Sequence, residues 1–432
     1  MPEGNAKPAW RRWTAAVIAT IAAIWFCYAG AKHALASHYA ASSNFEDWER
    51  ATRVEPGNAE IWYQLGRFRQ LDFDHADLPV AISDYQRAVQ LNSHSPYYKL
   101  DLASAFEMSG DNDDADRYYR AAQAGYPISA EVSWKYGNFL LRQQRLPEAY
   151  AEIHRALLVD PKLLPLAVSR VWRSDPDVSL LLDQVLPDTP EADWQAIAYL
   201  SDAQQATAAL TVWNRLVAKK PSMEWTKVFA LTDLLVAQDQ FAEVGTVWRQ
   251  AIARDETTAP GYSGSSLIYD GGFEKDISGG GFGWRQRDVQ GVDFGIDADE
   301  KHSGNRSARL TFDGTQNLSY EALSQLVLVS PRTRYRFRGF LRTDQISTNS
   351  GVRFEILDPK NNKDLYVLTP NETGTQGWTL EELDFTTGPR TQLIQIRLVR
   401  RPSERLDNKI SGTVWIDDVS VFPIGDRPVT KP

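Results

Sequence analysis

Cysteine is almost missing from this chain. Among 432 residues only Cys27 carries a thiol, so no intramolecular disulfide can form. Histidine is sparse as well. His33, His38, His75, His94, His154 and His302 are scattered without metal-ligand spacing. Positive charge is in the minority: 47 Lys and Arg face 56 Asp and Glu. The formal charge of −9 argues against a general nucleic-acid binder. No nucleophile elbow, phosphate loop, zinc signature or dinucleotide-binding glycine pattern is found. The run Gly279-Gly280-Gly281-Phe282-Gly283 lacks the lysine and helix of a phosphate loop and reads as a flexible loop. Glycoside hydrolysis needs two opposed carboxylates in a cleft. Acidic residues are common in the C-terminal third, but spacing singles out no pair, so the chain is read as non-enzymatic. A polysaccharide-active enzyme using those carboxylates is the competing reading.

Charge is wholly absent from Trp13 to Ala31, WTAAVIATIAAIWFCYAGA. Nineteen helical residues at roughly 1.5 Å each nearly cross a bilayer core of about 30 Å. The preceding tail, residues 1–12, carries Lys7, Arg11 and Arg12. A basic flank on that side predicts a cytoplasmic N terminus and an exported remainder. Residues 13–35 are therefore read as a single-pass signal anchor in the inner (plasma) membrane, with Trp25 and Tyr28 near the outer interface and Cys27 buried in lipid. A cleaved signal peptide is the alternative, since Ala29-Gly30-Ala31 and Ala34-Leu35-Ala36 both fit a small-x-small cleavage site.

Beyond the anchor the sequence repeats itself every 34 positions. Ala103 recurs as Gly137, Ala115 as Ala149, Ala122 as Ala156 and Pro127 as Pro161. Ala81 and Ala88 precede Ala115 and Ala122 by the same step. Small residues at fixed offsets let two helices approach closely, and a proline closes the second helix because it has no N–H to donate. Trp48, Ala51 and Pro56 fit the second half of an earlier unit. Ala209, Trp213, Leu216 and Pro221, then Val244, Trp248 and Ala251, fit degenerate later ones.

The residues Trp62, Leu65, Gly66, Ala81, Tyr85 and Ala88, then Leu102, Ala103, Phe106, Gly110, Ala115, Tyr119, Ala122 and Pro127, then Gly137, Ala149, Ala156 and Pro161, together resemble the tetratricopeptide repeat. The resemblance implies an α-solenoid over residues 40–256, with a protein partner held on its concave surface. One departure stands out: Asp72-Phe73-Asp74-His75 lengthens the turn of the first clear unit.

Residues 257–266 form a linker rich in turn formers, and after it the apolar period changes from 3.6 to 2. Short alternating runs then follow, such as Ser307 to Phe312, Tyr335 to Arg342, Val352 to Leu357 and Leu393 to Val399. They predict eight to ten strands in a β-sandwich over residues 267–425, with a tail at 426–432. The fold class expected is thus multidomain: a membrane helix, an α-solenoid, then a β-sandwich.

Alternation places Arg336 and Arg338 on one face of their strand, Arg353 and Glu355 on the polar face of the next, and Gln395 and Arg397 on that of a third. If these strands are neighbours, one outer face carries all six. Arg forks bind carboxylates and sulfates bidentately, which would suit an acidic polysaccharide. The competing reading is a solvated face of Arg–Glu pairs, or one packed on the solenoid. Trp284, Tyr320 and Tyr366 are candidates to stack on sugar rings, while Trp378 and Trp415 are assigned to the core.

Gly271-Gly272-Phe273-Glu274, Gly283-Trp284, His302-Ser303-Gly304-Asn305-Arg306-Ser307, Gly377-Trp378 and Val414-Trp415-Ile416-Asp417-Asp418-Val419 resemble carbohydrate-binding modules with a galactose-binding-like jelly roll. The resemblance implies a structural calcium tying the first strand to the last, held by Glu274, the Ser303 backbone and Asp417 or Asp418. The alternative is that these acids cap turns. Together the parts suggest a membrane-anchored scaffold in bacterial exopolysaccharide or cell-envelope assembly. A sandwich that serves only as a structural cap is the third possibility.

Overall fold

A computed structural model describes residues 9–42, 44–254 and 261–424, with side chains from Trp13 onward. The tail 1–8, part of the 257–266 linker and the tail 426–432 lie outside the described residues. The chain folds as two compact units, Met1–Asp188 and Thr189–Pro432.

The first unit is helical. Helix α1 (Ala9–Ala40) is followed by α2 (Phe45–Val54), α3 (Ala59–Leu71), α4 (Leu78–Leu91), α5 (Pro96–Ser109), α6 (Asn112–Gly125), α7 (Ala130–Arg142), α8 (Leu146–Val159), α9 (Leu164–Ser174) and the short α10 (Val178–Leu180). Caps set the boundaries. Asn58, Asp77, Ser95, Asp111 and Ser129 each accept a backbone N–H of the first turn. Gly110 closes α5 in the left-handed region at φ +85°. Helix α6 ends two residues before Pro127, and α8 two before Pro161, as the repeat pattern expects.

Close approach explains the small residues. A Cβ on Gly66 would stand 2.9 Å from the Tyr85 ring, and one on Gly137 would stand 2.9 Å from Ile153. The helices therefore pair as α3 with α4 and α7 with α8, and α5 pairs with α6 in the same way. Between α5 and α7 the 34-residue step is kept, with Lys135 reaching Asp101 at 3.1 Å, whereas the bonds Tyr63–Asp101 and Tyr98–Glu60 between α3 and α5 span 38 positions, across the Asp72–His75 insertion. The Asp72–His75 insertion does lengthen a turn. Residues 72–77 separate α3 from α4, where Gly110 and Asp111 suffice between α5 and α6.

The first hairpin holds a feature the repeat offsets did not show. Its leading helix is the end of α1 itself, with Ala36 fully buried against Ala51 of α2 and Ile61 of α3. Residues Trp13–Ala40 are long and apolar enough to cross a membrane. One unbroken helix thus runs from the apolar segment into the first hairpin.

The second unit begins with two hairpins, α11 (Pro190–Asp202) with α12 (Ala206–Ala218) and α13 (Trp225–Ala237) with α14 (Phe241–Ile252). The fully buried Asp193 of α11 accepts from Arg215 at 2.8 Å and Lys219 at 2.6 Å on the far side of the first hairpin.

Nine strands among the described residues then form the sandwich. They are β1 (Val292–Asp297), β2 (Ser307–Asp313), β3 (Ser324–Leu328), β4 (Arg334–Ile346), β5 (Arg353–Leu357), β6 (Tyr366–Leu368), β7 (Gly374–Thr386), β8 (Leu393–Val399) and β9 (Ser411–Pro423). All pairings are antiparallel. One sheet runs β1-β2-β9-β4-β7 and the other β3-β8-β5-β6. Phe273, Trp284, Tyr320, Phe337, Phe354 and Ile396 fill the space between them.

The sandwich is fastened to α13 and α14. Trp248 meets Tyr269 and Phe282 edge-on, at 5.4 and 5.8 Å between centroids. Arg285 pairs with Asp233 at 2.6 Å, and Lys360 with Asp239 at 2.9 Å. The glycine run corrects its sequence reading. A Cβ on Gly280 would lie 2.4 Å from Phe229, and one on Gly281 2.3 Å from Trp248, so these glycines admit close packing on the helices.

Candidate ligand-binding face of the sandwich

Strand β5 points Arg353 and Glu355 away from the core, and strand β8 does the same with Gln395 and Arg397, while Phe354, Ile394, Ile396 and Leu398 point inward. The register sets Glu355 opposite Arg397. Two residues past β8, Arg401 again faces outward, and Tyr366 of the edge strand β6 comes alongside. Four groups then meet. The Glu355 carboxylate accepts from the Tyr366 hydroxyl at 2.8 Å, from Arg401 at 2.5 Å and from the Arg397 Nε. Arg397 also pairs with Glu321 at 2.9 Å.

Glu355 is fully buried beneath these side chains, whereas Tyr366 is 46% exposed. Burial alone would push the Glu355 carboxyl up. The Tyr366 hydroxyl, Arg397 and Arg401 outweigh it and hold the group below its ordinary value. The carboxylate is therefore an anchor that fixes two guanidinium groups. Arg353 is nearby, within reach of Asn371 at 3.4 Å, and its buried Nε finds no partner among the described residues. Three guanidinium groups against the carboxylates of Glu355 and Glu321 leave a shallow patch of net positive charge beside an exposed aromatic ring. Such a patch can take a carboxylate or sulfate and lay a sugar face on Tyr366.

The six-residue face expected from alternation is split. Arg353, Glu355, Gln395 and Arg397 share the four-stranded sheet, but Arg336 and Arg338 lie on β4 in the five-stranded one. Alternation within each strand is as expected. The assumption that β4 and β5 are neighbours fails, because the chain crosses between sheets after Ile346. On β4 the guanidinium groups are already neutralised: Arg336 is bidentate on Asp384 at 2.7 and 3.1 Å, and Arg338 bonds Glu382 at 2.6 Å. The reading of a solvated face of ion pairs holds there. The reading of a face packed on helices holds in part for the other sheet, where Leu328 of β3 lies against α14 at Gly245.

The aromatic assignments change as well. Trp284 is 2% exposed, stacks on Phe273 at 4.8 Å and donates its indole N–H to the Asp270 carbonyl at 2.9 Å. Tyr320 is fully buried against Phe312. Neither can meet a sugar, and of the three aromatic candidates only Tyr366 is exposed. Conversely, Trp378 and Trp415 are half-buried on the outside of the five-stranded sheet. Trp415 lies under Arg342 and donates to Asp297 at 2.9 Å. Trp378 sits beside His302, which stacks on Phe340 at 3.6 Å. Trp415 faces outward because it pairs with Arg342, an outward position of β4.

The residues suggested for calcium do converge. Asp417 is fully buried and accepts from the His302 and Ser303 backbone N–H groups at 2.8 and 3.0 Å, and from its neighbour Asp418 at 2.7 Å. Asp418 takes the Ser303 hydroxyl at 2.8 Å and the His302 ring at 2.6 Å. Glu274 takes the Asn305 N–H at 2.6 Å and that of Arg306 at 3.3 Å. Every one of these carboxylates is thus occupied by N–H or O–H donors of the 302–306 loop. The set forms a hydrogen-bonded clasp and, as it stands, does not fit a calcium shell of six or more converging oxygens. Among the described residues no group of three or more Asp, Glu, His or Cys could hold a metal ion. Burial, with the adjacent Asp418 charge adding to it, pushes Asp417 up to about 6 despite the backbone donors.

Two buried polar residues had no sequence signal. Arg400 is fully enclosed and bonds only neutral acceptors: Ser350 O at 3.1 Å, Asn317 Oδ1 at 2.8 Å, Asn408 O at 3.0 Å and Leu318 O. It staples three loops together. Glu381 of β7 points into the sandwich at 2% exposure, and burial, joined by the nearby Glu372 carboxylate, pushes it up to about 7. The alternation of charged and apolar residues along β4 was legible. An inward-facing charge on β7 was not.

No family model matches the chain. No curated protein matches it either. Solved structures are similar to parts of it. The enzymatically active domain of tailspike protein 4 from bacteriophage CBA120 shares 17% identity over 37% of this chain, with a TM-score of 0.28. The match covers only 22% of that domain. The family 16 carbohydrate binding module-2 shares 19% identity over 36% of this chain and 98% of its own, with a TM-score of 0.26. YrrB, a tetratricopeptide repeat protein with an unusual peptide-binding site, shares 12% identity over 49% of this chain and 94% of its own, with a TM-score of 0.27. Each of these likenesses covers less than half of this chain.

Proposed function

We propose that the protein is a non-enzymatic, membrane-tethered scaffold whose sandwich holds an acidic polysaccharide and whose helical repeats hold a protein partner. The observation that carries the glycan half is the patch of Arg353, Arg397 and Arg401 set over the buried Glu355 beside Tyr366. The Arg397 and Arg401 guanidinium groups are oriented on Glu355 before any ligand arrives, which lowers the ordering cost of binding. Retention of α1 as an anchor is supported by Ala36, whose burial against Ala51 and Ile61 would be lost on cleavage after Ala34-Leu35-Ala36. On this reading the N terminus is cytoplasmic and the rest exported, in a bacterial exopolysaccharide or cell-envelope assembly. The closest carboxyl neighbours of the sandwich interior, Glu381 and Glu372, do not favour hydrolysis, because Glu381 is enclosed rather than set in a cleft.

The test is binding of the full chain, in detergent, to an acidic polysaccharide such as alginate and to a neutral one such as dextran. The acidic polymer should be retained, and Arg401→Ala should weaken retention several-fold. Equal retention of both polymers, untouched by Arg401→Ala, would remove the glycan half of the proposal.

A further inference from the structure

Successive helices of the first unit run in alternating directions, so the turns between hairpins lie at one edge and the turns within them at the other. The edge holding the between-hairpin turns can be placed against α1. His33 lies two residues, roughly 3 Å, beyond the last residue of the uncharged run. Its ring meets Glu55, in the turn between α2 and α3, at 3.2 Å. The first between-hairpin turn is therefore level with the end of the membrane span. The next turns continue from it: Tyr98 at the start of α5 bonds Glu60 at the start of α3 at 2.7 Å, and Tyr97 meets Tyr126 of the following turn at 6.4 Å.

That edge is unusually apolar for a solvated surface. Tyr97, Tyr126, Ile128, Leu158 and Val159 all sit at its turns and all are more than a third exposed, Ile128 at 68%. Two of its turns, 92–95 and 125–129, carry no Asp or Glu, while Asp160 at a third is turned to the Lys162 N–H and Glu55 to the His33 ring. Exposed Tyr and aliphatic side chains gathered at these turns match the headgroup boundary of a bilayer, where aromatic rings and small apolar groups partition.

We propose that this edge of the repeats rests on the bilayer that α1 crosses, with Tyr97, Tyr126, Ile128, Leu158 and Val159 seated at the lipid headgroup level. The inference rests on the reading of α1 as a retained anchor. It makes the solenoid lie along the membrane rather than stand free of it, and it leaves the opposite edge, with Phe73 and Met108, facing water.

Cys27 is the only thiol, so a Cys27→Ser chain can carry one new label at a time. The full chain is reconstituted into phosphatidylethanolamine–phosphatidylglycerol vesicles containing brominated phospholipid. Ile128→Cys and Leu158→Cys are compared with Met108→Cys and Phe73→Cys, each bearing bimane. Labels at 128 and 158 should be quenched by brominated lipid and shielded from aqueous iodide, and labels at 108 and 73 should show the reverse. Four labels equally open to iodide, on a chain that stays in the vesicles through alkaline carbonate, would overturn the inference and leave the anchor standing. Loss of the chain to the carbonate supernatant would overturn both.

Discussion

Glu355 lies fully buried directly under Arg397, across the β5–β8 register, and its second oxygen is held by Arg401 at 2.5 Å. The pair makes a rigid platform from residues that would otherwise be long and mobile. Removing the carboxylate leaves two guanidinium groups without an anchor and one of them partly desolvated. Glu355→Gln should therefore cost the sandwich about 3 kcal/mol in denaturant unfolding, within the range for breaking one partner of a buried pair. Arg401→Ala should cost under about 1 kcal/mol, since Arg401 is the more exposed partner. Similar losses for the two substitutions would show that Glu355 is no more than a surface ion-pair acceptor.

Glu381 predicts a pH dependence of stability. Its folded value of about 7 lies above the ordinary carboxyl value, because burial and Glu372 disfavour the charge. The folded state then holds a proton that the unfolded state has released between about pH 4.5 and pH 7, so stability falls as pH rises through that window. Glu381→Gln should abolish that part of the fall and raise stability at pH 8 by about 2 kcal/mol. Thermal unfolding across pH 4 to 8 reads the effect, and parallel curves for the two chains would contradict it.

Asp417 gives a second, separable test. Raised to about 6 by burial, it too contributes stability that is lost as pH rises, here between about pH 4 and pH 6. Because the Asp417 oxygens are engaged by the 302–306 loop and the Asp418 N–H, and those of Asp418 by His302 and Ser303, millimolar calcium at pH 7 should leave the unfolding temperature of the full chain unchanged. A rise of several degrees that Asp417→Asn abolishes would show that the carboxylates turn from the clasp to the ion.

Much of the fold could be read from the sequence because its signals are local. Gly66 and Gly137 mark helix crossings, Gly110 marks a left-handed cap, and the period of 2 marks strands. What was lost depended on which strands are neighbours. The outward positions of Arg336 and Arg353 followed from alternation, yet their sheets differ, and no local pattern encodes a crossover between layers. Trp284 and Trp415 exchanged places for the same reason. One lies on the irregular segment before β1 and fills the core, the other on an outward strand position. Arg401, the platform's second cation, lies two residues past the end of β8, outside the alternation that picks out Gln395 and Arg397.

The central claim, that a pre-oriented arginine platform recognises acid groups on a polysaccharide, is tested most directly on one polymer in two forms. Binding of the full chain to alginate is compared with binding to the same alginate after carboxyl reduction, at low and high salt. The platform predicts at least a tenfold loss on reduction, about 1.4 kcal/mol, with a salt-sensitive signal that the Arg353→Ala, Arg401→Ala double variant lacks. Equal binding of the two forms by both chains would contradict it.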